Sequence, residues 1–441
     1  TGGEIYGYTN IINGLALDSV QAVTYYDRYD FTDIPGIMPD SLGYVQRSDF
    51  PAKYVSQMSF DFDSRGLVTG RAVQAVGRMM WTTFYYDKWG NLIQKHQNNI
   101  ADGYDHFYYE VAQDGSVLRE NHKHSASGGI GKTVNHDDYH VYKYDDAGRL
   151  YSEVLGHDGT GYTLYYIAFD ELGRPKFNGR NGDNVVISSY SYDIHGNMLA
   201  HNNEFFSQRL YYDKAPDGSS GLLGGRINAM DWTDFNGHTR RYSYAYDKLD
   251  RLMSAEYSEP DGRNLPGVDA AVNTPDYSCR YTYDLNGNMT SVTRKGVTSR
   301  IRDGHNYKLT FGTAYSAGFT YGGNQRLSDT QLMPVATFDP LSSMTMQTSI
   351  RPGGGSLLIP TRRYDANGNL TSDPSRCIDE ITYDINNQPR SIVFTPEQPG
   401  MNPTYRSYMY DADGYRLSAA NVGAKGRTLR LYCGRYQFDV A

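Results

Sequence analysis

The sequence predicts an all-β protein, built as a long antiparallel array of β-hairpins. Three observations point there. A seven-residue figure, Tyr283-Asp284-Leu285-Asn286-Gly287-Asn288-Met289, returns along most of the chain, which is the mark of a repeat architecture. Aromatic residues alternate on the approach to it, as at Tyr242, Tyr244, Tyr246 and at Tyr281, Tyr283, the period-two spacing of one strand face. Few segments carry helical periodicity, so helix content is expected to be low.

Close copies of the figure stand at Tyr86-Asp87-Lys88-Trp89-Gly90-Asn91-Leu92, Tyr144-Asp145-Asp146-Ala147-Gly148-Arg149-Leu150 and Tyr364-Asp365-Ala366-Asn367-Gly368-Asn369-Leu370. Looser ones begin at Phe169, Tyr192, Tyr246, Tyr383 and Tyr410, and degenerate ones at Phe62, Tyr212 and Tyr321. Each position has a physical job. Asp suits the first corner of a type I turn, because its carboxylate accepts from backbone amides two residues on. Gly, three positions after Asp, takes the left-handed conformation that closes a three-residue hairpin loop. Arg or Asn follows, and Leu or Met then returns to the buried face. Asp250 and Asn387 replace the Gly in two copies; both residue types tolerate positive φ, so those turns are expected to survive.

Taken in order, residues 1–60 read as lead-in strands, with candidates at 21–26 and 43–46 around a loop at Asp33-Ile34-Pro35-Gly36. Residues 61–441 read as one continuous repeat array. Within it, 79–86 is a strong apolar and aromatic strand. Residues 101–140 look less regular, apart from a hairpin about Asp114-Gly115, and 312–355 is a weak region. Gly/Pro-rich insertions stand at 214–225 and 258–277. The closing residues 432–441 look like an incoming strand.

About a dozen hairpins give roughly 24 strands, and at ~4.8 Å per strand the sheet would run on the order of 115 Å. A twisted sheet of that length must curl or spiral, and the perimeter implies a tube roughly 35 Å across with a lumen, so the predicted array forms a hollow shell or part of one.

Composition removes several function classes. The net charge of −8 argues against nucleic acid, which needs a basic footprint. No apolar run approaches the roughly 18 residues of a membrane helix, so no membrane span is expected. Cys279, Cys377 and Cys433 are odd in number and widely spaced, which fits neither a metal set nor a disulfide framework. The opening Thr1-Gly2-Gly3-Glu4 has neither the basic nor the apolar region of a signal peptide, and a chain opening on Thr1 reads as processed or trimmed.

The Tyr-Asp-x-x-Gly-Arg/Asn-Leu figure resembles the YD repeat of RHS proteins, bacterial relatives of teneurins and of the B/C subunits of Tc toxins. The resemblance spans residues 60–436. Leu67-Val68-Thr69-Gly70-Arg71-Ala72-Val73, Tyr85-Tyr86-Asp87-Lys88-Trp89-Gly90-Asn91-Leu92-Ile93-Gln94, Arg226-Ile227-Asn228-Ala229-Met230-Asp231-Trp232 and Ile381-Thr382-Tyr383-Asp384 are more similar still to RHS proteins of Bacteroidetes, and Leu431-Tyr432-Cys433-Gly434-Arg435 resembles the family segment that precedes the core end. The resemblance implies a secreted or cell-surface β-strand ribbon, spiralling into a shell around a C-terminal toxic or variable segment. Family members with processed cargo carry an Asp-Pro-x-Gly self-cleavage step. The step here, Asp339-Pro340-Leu341-Ser342, lacks that Gly and precedes further hairpins, so cleavage is not expected there. The family's core end and any cargo are expected outside this chain.

Histidines concentrate at His122-x-His124 and His136-x-x-x-His140. On a strand His122 and His124 would share a face, which permits two metal ligands. The plainer reading is preferred: polar, solvent-facing histidines in an irregular region, with no carboxylate or Cys at metal spacing to complete a set. The turns about Asp284 and Asp365 superficially resemble calcium loops, but their Gly stands at the fourth position, not the sixth. The hairpin reading accounts for every residue in them. No Ser–His–Asp context, nucleophile elbow or phosphate loop is present. Catalytic, cofactor and metal residues are therefore expected to be none. Partners are expected to be the chain's own C-terminal cargo or another protein, with a glycan as a further candidate. The leading functional reading is a non-enzymatic scaffold that encloses or presents a polypeptide. The alternative is an extracellular recognition module using the loop insertions. A glycoside-active enzyme is the distant third.

Overall fold

The structure, a computed structural model, describes residues 20–47, 64–75, 77–127, 133–157, 160–180, 186–218, 221–222, 224–260, 275–303, 306–332, 356–359, 362–395, 404–411, 413–423 and 426–440, with the short pairs 4–5, 8–9 and 337–338. The chain is all-β. Strands pair antiparallel with their sequence neighbours, apart from a short parallel contact of Met289–Asp303 with Thr337–Phe338 and an antiparallel pairing of Gln325–Leu332 with Ser356–Ile359 that skips that short strand. Helix among the described residues is limited to the 3-10 turns Asp30–Asp33, Asp40–Leu42 and Pro374–Arg376. The Asp339-Pro340 step, Phe62-Asp63 at the start of the degenerate copy, and most of the insertion at 258–277 lie outside the described residues.

The repeated turn is built as its residues predict. Asp284 Oδ1 accepts from the Asn288 amide at 2.8 Å, and Oδ2 accepts from the Asn288 side-chain amide at 2.9 Å. Gly287 has φ +90°, and Asp250 and Asn387 reach +63° and +60° in the same place. The residue after the Gly has a second task that explains the Arg/Asn choice. Arg174 donates to the Asp193 carbonyl at 3.0 Å and Arg251 to the Asp284 carbonyl at 2.7 Å, so these two turns are tied to the next one along.

The tyrosine before most of the turns reaches the other way. Its hydroxyl donates to a carbonyl of the preceding hairpin: Tyr86 to Val68, Tyr144 to Val117, Tyr246 to Ile227, Tyr283 to Leu252, Tyr321 to Met289 and Tyr410 to Pro389. Ring packing and one directed bond thus staple consecutive repeats. Tyr283→Phe keeps the ring, which lies under the Arg251 guanidinium, and deletes only the bond to Leu252. It is expected to lower unfolding free energy by about 1 kcal/mol in urea titrations, the net worth of one such hydrogen bond.

The chain divides into two compact units, Thr1–Ile167 with Arg180–Val185 and Asp379–Ala441, and Ala168–Gly179 with Val186–Ile378. The first is layered. Its sheet runs through Ser64–Ala75, Arg78–Tyr86, Leu92–Asn98, Tyr104–Val111, Val117–Ala126, Val134–Tyr144 and Leu150–His157. Residues 20–47 cover one face, where Phe31 and Leu42 pack with Tyr25, Ala72 and Trp81. The six-stranded sheet from Ile378–Tyr383 to Tyr436–Val440 covers the other, with Leu417 against Val73 and Met80, and Leu431 and Cys433 against Ala101 and Ala126.

The second unit continues the hairpins from Val186–Tyr192 to Ser356–Ile359. Its strands bury small or aliphatic residues, Leu210, Ala229, Ala255, Val292 and Ala317. An aromatic ladder crosses them, with ring centroids 5.2 Å apart for Trp232–Tyr242, 5.6 Å for Tyr242–Tyr257, 5.1 Å for Tyr257–Tyr277 and 5.4 Å for Tyr277–Phe311.

Three expectations are corrected. Residues 43–46 are extended but join no strand, because the Gln94 side chain takes both backbone groups of Val45, accepting from its amide at 3.1 Å and donating to its carbonyl at 2.7 Å. The weak region begins with a long strand, Asn306–Gly322, paired to Met289–Asp303. Its glycines hide the strand pattern, yet they suit a close approach: a Cβ on Gly312 would lie 3.3 Å from Thr298 Cγ2. Residues 101–140 hold fully paired strands, and they carry the site described next.

Candidate functional site

The strands Tyr104–Val111, Val117–Ala126 and Val134–Tyr144 place polar residues where a core would ordinarily be apolar. Register sets Asp105 opposite His124 and Phe107 opposite His122. It sets His124 opposite His136, His122 opposite Asp138, and Glu120 opposite His140. Since side chains two apart share a face, all of these line the face covered by the C-terminal sheet.

At the centre, Asp105 Oδ1 lies 2.7 Å from His122 Nε2 and 2.7 Å from His124 Nδ1. Asn99 donates to Asp105 Oδ2 at 3.0 Å. The side chains of Asp105, His122 and His124 are 0 to 1% exposed. Phe107 stacks on His122, with centroids 4.0 Å apart, and Tyr436 on His124 at 4.3 Å. Burial by itself would raise the Asp105 pKa, but bonds from His122, His124 and Asn99 and the charge of His124 outweigh it and hold the carboxyl at about 2.

An outer ring ties the layer to the covering strands. The Tyr436 hydroxyl donates to Asp138, which also pairs with His157 Nδ1. Burial opposes ionisation of Asp138, yet these two bonds keep its pKa low. Arg435 pairs with Glu120 at 2.8 Å, and His140 Nδ1 meets Glu153 at 2.7 Å. Burial, with Asp105 as a lesser cause, pushes the Cys433 thiol up to about 11, so it stays protonated.

A second histidine pair lies on the opposite face. His96 Nε2 meets Gln94 Oε1 at 3.0 Å, and His106 Nδ1 meets His96 Nδ1 at 3.1 Å. The bond to Gln94 gives His96 the Nε2–H tautomer, so its Nδ1 accepts from His106. Burial, then the neighbouring His106, pushes His96 down to about 3 and keeps it neutral. Beside the site, a cavity of about 560 Å3 is lined by Arg71, Thr82, Lys95, Asp411, Arg416 and Tyr432.

The expectation of solvent-facing histidines is therefore overturned: His122 and His124 are strand residues, buried together, and Asp105 supplies the carboxylate that the spacing alone did not reveal. His136 and His140 share their face but meet other partners. Chemically, the arrangement can clamp the C-terminal hairpin and concentrate donor atoms.

No family model matches the chain, and no curated protein matches it. Among solved structures it is similar to TcdB2-TccC3-TEV, at 13% identity and TM-score 0.50, over 86% of this chain and 20% of that one. It is also similar to TcdB2-TccC3-Cdc42, at 13% identity and TM-score 0.49, over 85% of this chain and 20% of that one. The chain thus spans about a fifth of the length of these structures. The likeness is one of fold: the hairpin array found here has the fold of part of the TcdB2-TccC3-TEV structure.

Proposed function

We propose that this chain is a non-enzymatic scaffold of the RHS/YD-repeat type, secreted or displayed at a bacterial cell surface, and that it forms part of a β-shell enclosing or presenting another polypeptide. The observation behind this reading is the two-way stapling of consecutive repeats. Tyrosine hydroxyls bond backward and turn arginines bond forward, which builds a continuous wall in which the repeat residues are spent on structure. The fold shared with TcdB2-TccC3-TEV supports the same reading. The mechanism is confinement: interstrand bonds close the wall, and the enclosed segment is kept from folding or acting.

The test appends an unfolded, protease-sensitive polypeptide after Ala441. Under trypsin, the fused segment is expected to survive at least ten times longer than the same segment alone. Digestion at the rate of the free segment would reject enclosure. Specific glycan capture that disappears on trimming 258–277 would then favour the recognition reading.

A further inference from the structure

We propose that Asp105, His122 and His124 form a binding site for a divalent transition-metal ion of the zinc class, bridging the Tyr104–Val111 and Val117–Ala126 strands. This is a site beyond the scaffold role and stands independently of it.

The donor set comes first. Two imidazoles and one carboxylate are a borderline N/O set that suits zinc and its neighbours rather than calcium or magnesium, which take oxygen. His122 Nε2, His124 Nδ1 and a carboxylate oxygen of Asp105 all lie within 4.8 Å of one another. The backbone fixes them: the two histidines are two apart on one strand, and Asp105 is the registered partner of His124 on the next.

Orientation comes second. Asn99 holds the far carboxylate oxygen at 3.0 Å, and Phe107 and Tyr436 wall the two rings, the kind of outer shell that fixes metal ligands.

The third observation is that both rings converge on one oxygen. A single oxygen, Asp105 Oδ1, serves both rings, and the far nitrogens, His122 Nδ1 and His124 Nε2, are buried with no hydrogen-bond partner among the described residues. The far nitrogens stay unpartnered whether or not a cation is bound; it is the convergence of two buried facing nitrogens on one carboxylate oxygen that marks a position for a shared cation. A cation uses both facing nitrogens and the carboxylate at once. Donors on one zinc at about 2.0–2.1 Å stand ~3.3 Å apart, so loading widens each 2.7 Å spacing by about half an ångström, a small rotation of the side chains. Three protein donors leave the fourth position to water. The bound ion would cross-link the two strands beneath the C-terminal hairpin.

The test uses the full chain, stripped by chelator and titrated with Zn2+, then with Co2+ for its visible absorption. About one Zn2+ per chain is expected, with a rise in melting temperature, and Asp105→Asn and His124→Gln are expected to weaken binding by about 100-fold or more. The exposed turn variant His195→Gln is expected to bind as the parent does. Should the two ligand variants fail to fold by circular dichroism, X-ray absorption on the Zn2+-loaded parent decides, with two imidazoles in the first shell expected. Binding below about a tenth of an ion per chain, unchanged affinity in a folded Asp105→Asn, or a first shell without histidine would overturn the assignment.

Discussion

Arg362→Met is expected to destabilise the second unit by about 3 kcal/mol, read as a lower urea midpoint with an unchanged slope. Arg362 reaches Asp329 through Nη1 and Nη2, at 2.7 and 2.9 Å, and Asp373 through Nε at 3.1 Å. The three side chains are 8%, 2% and 3% exposed, so removing the cation leaves two buried carboxylates. Burial opposes ionisation of Asp329, and it is the bonds from Arg362 and Arg326 that keep its pKa low. Arg326 stays on Asp329 at 2.6 Å and Arg376 lies 3.8 Å from Asp373, which limits the loss. Replacing all three together, with Asp329→Asn and Asp373→Asn, is expected to recover much of it, because the penalty lies in the unpaired charge. A single variant within 0.5 kcal/mol of the parent would show that the buried ion cluster does not hold this unit together.

Trp81→Ala is expected to cost the first unit about 3–5 kcal/mol, the range for deleting a large buried aromatic. Trp81 is 3% exposed and stacks with Tyr25 and Phe31, centroids 6.0 and 6.3 Å away. Phe31 in turn occupies the space over Gly70, where a Cβ would come within 2.2 Å of its ring. Beyond the paired strand Ala22–Asp27, the apolar packing of the 20–47 segment centres on this contact, so limited proteolysis is expected to cut there first in the variant. Equal cleavage rates in parent and variant would show that the segment is anchored elsewhere, for example through Gln94 and Val45.

The legible part of the site stopped at the pair His122 and His124. Counting outward from the Asp114-Gly115 turn pairs Glu110 with Arg119, and the same count reaches Asp105 and His124. The carboxylate was therefore within reach of turn arithmetic. What hid it was polarity: Asp105, Asn121, His122 and His124 occupy positions that periodicity reads as exposed, and the strands looked irregular for that reason. Tyr436 and Arg435, some 300 residues away, could not be placed on them from sequence at all. The 43–46 strand failed in the opposite sense, since a side chain, Gln94, supplied the bonds a neighbouring strand would have made.

Sequence by itself determined the unit of construction. Tyr, Asp, Gly and Arg or Asn at fixed spacing specify a turn through contacts no more than a few residues long, and such local chemistry is readable wherever it recurs. Tertiary structure alone decided that a C-terminal sheet covers the histidine face, and that Arg362 gathers Asp329 and Asp373. Burial and charge pairing depend on which distant strands meet, and no local pattern encodes that meeting.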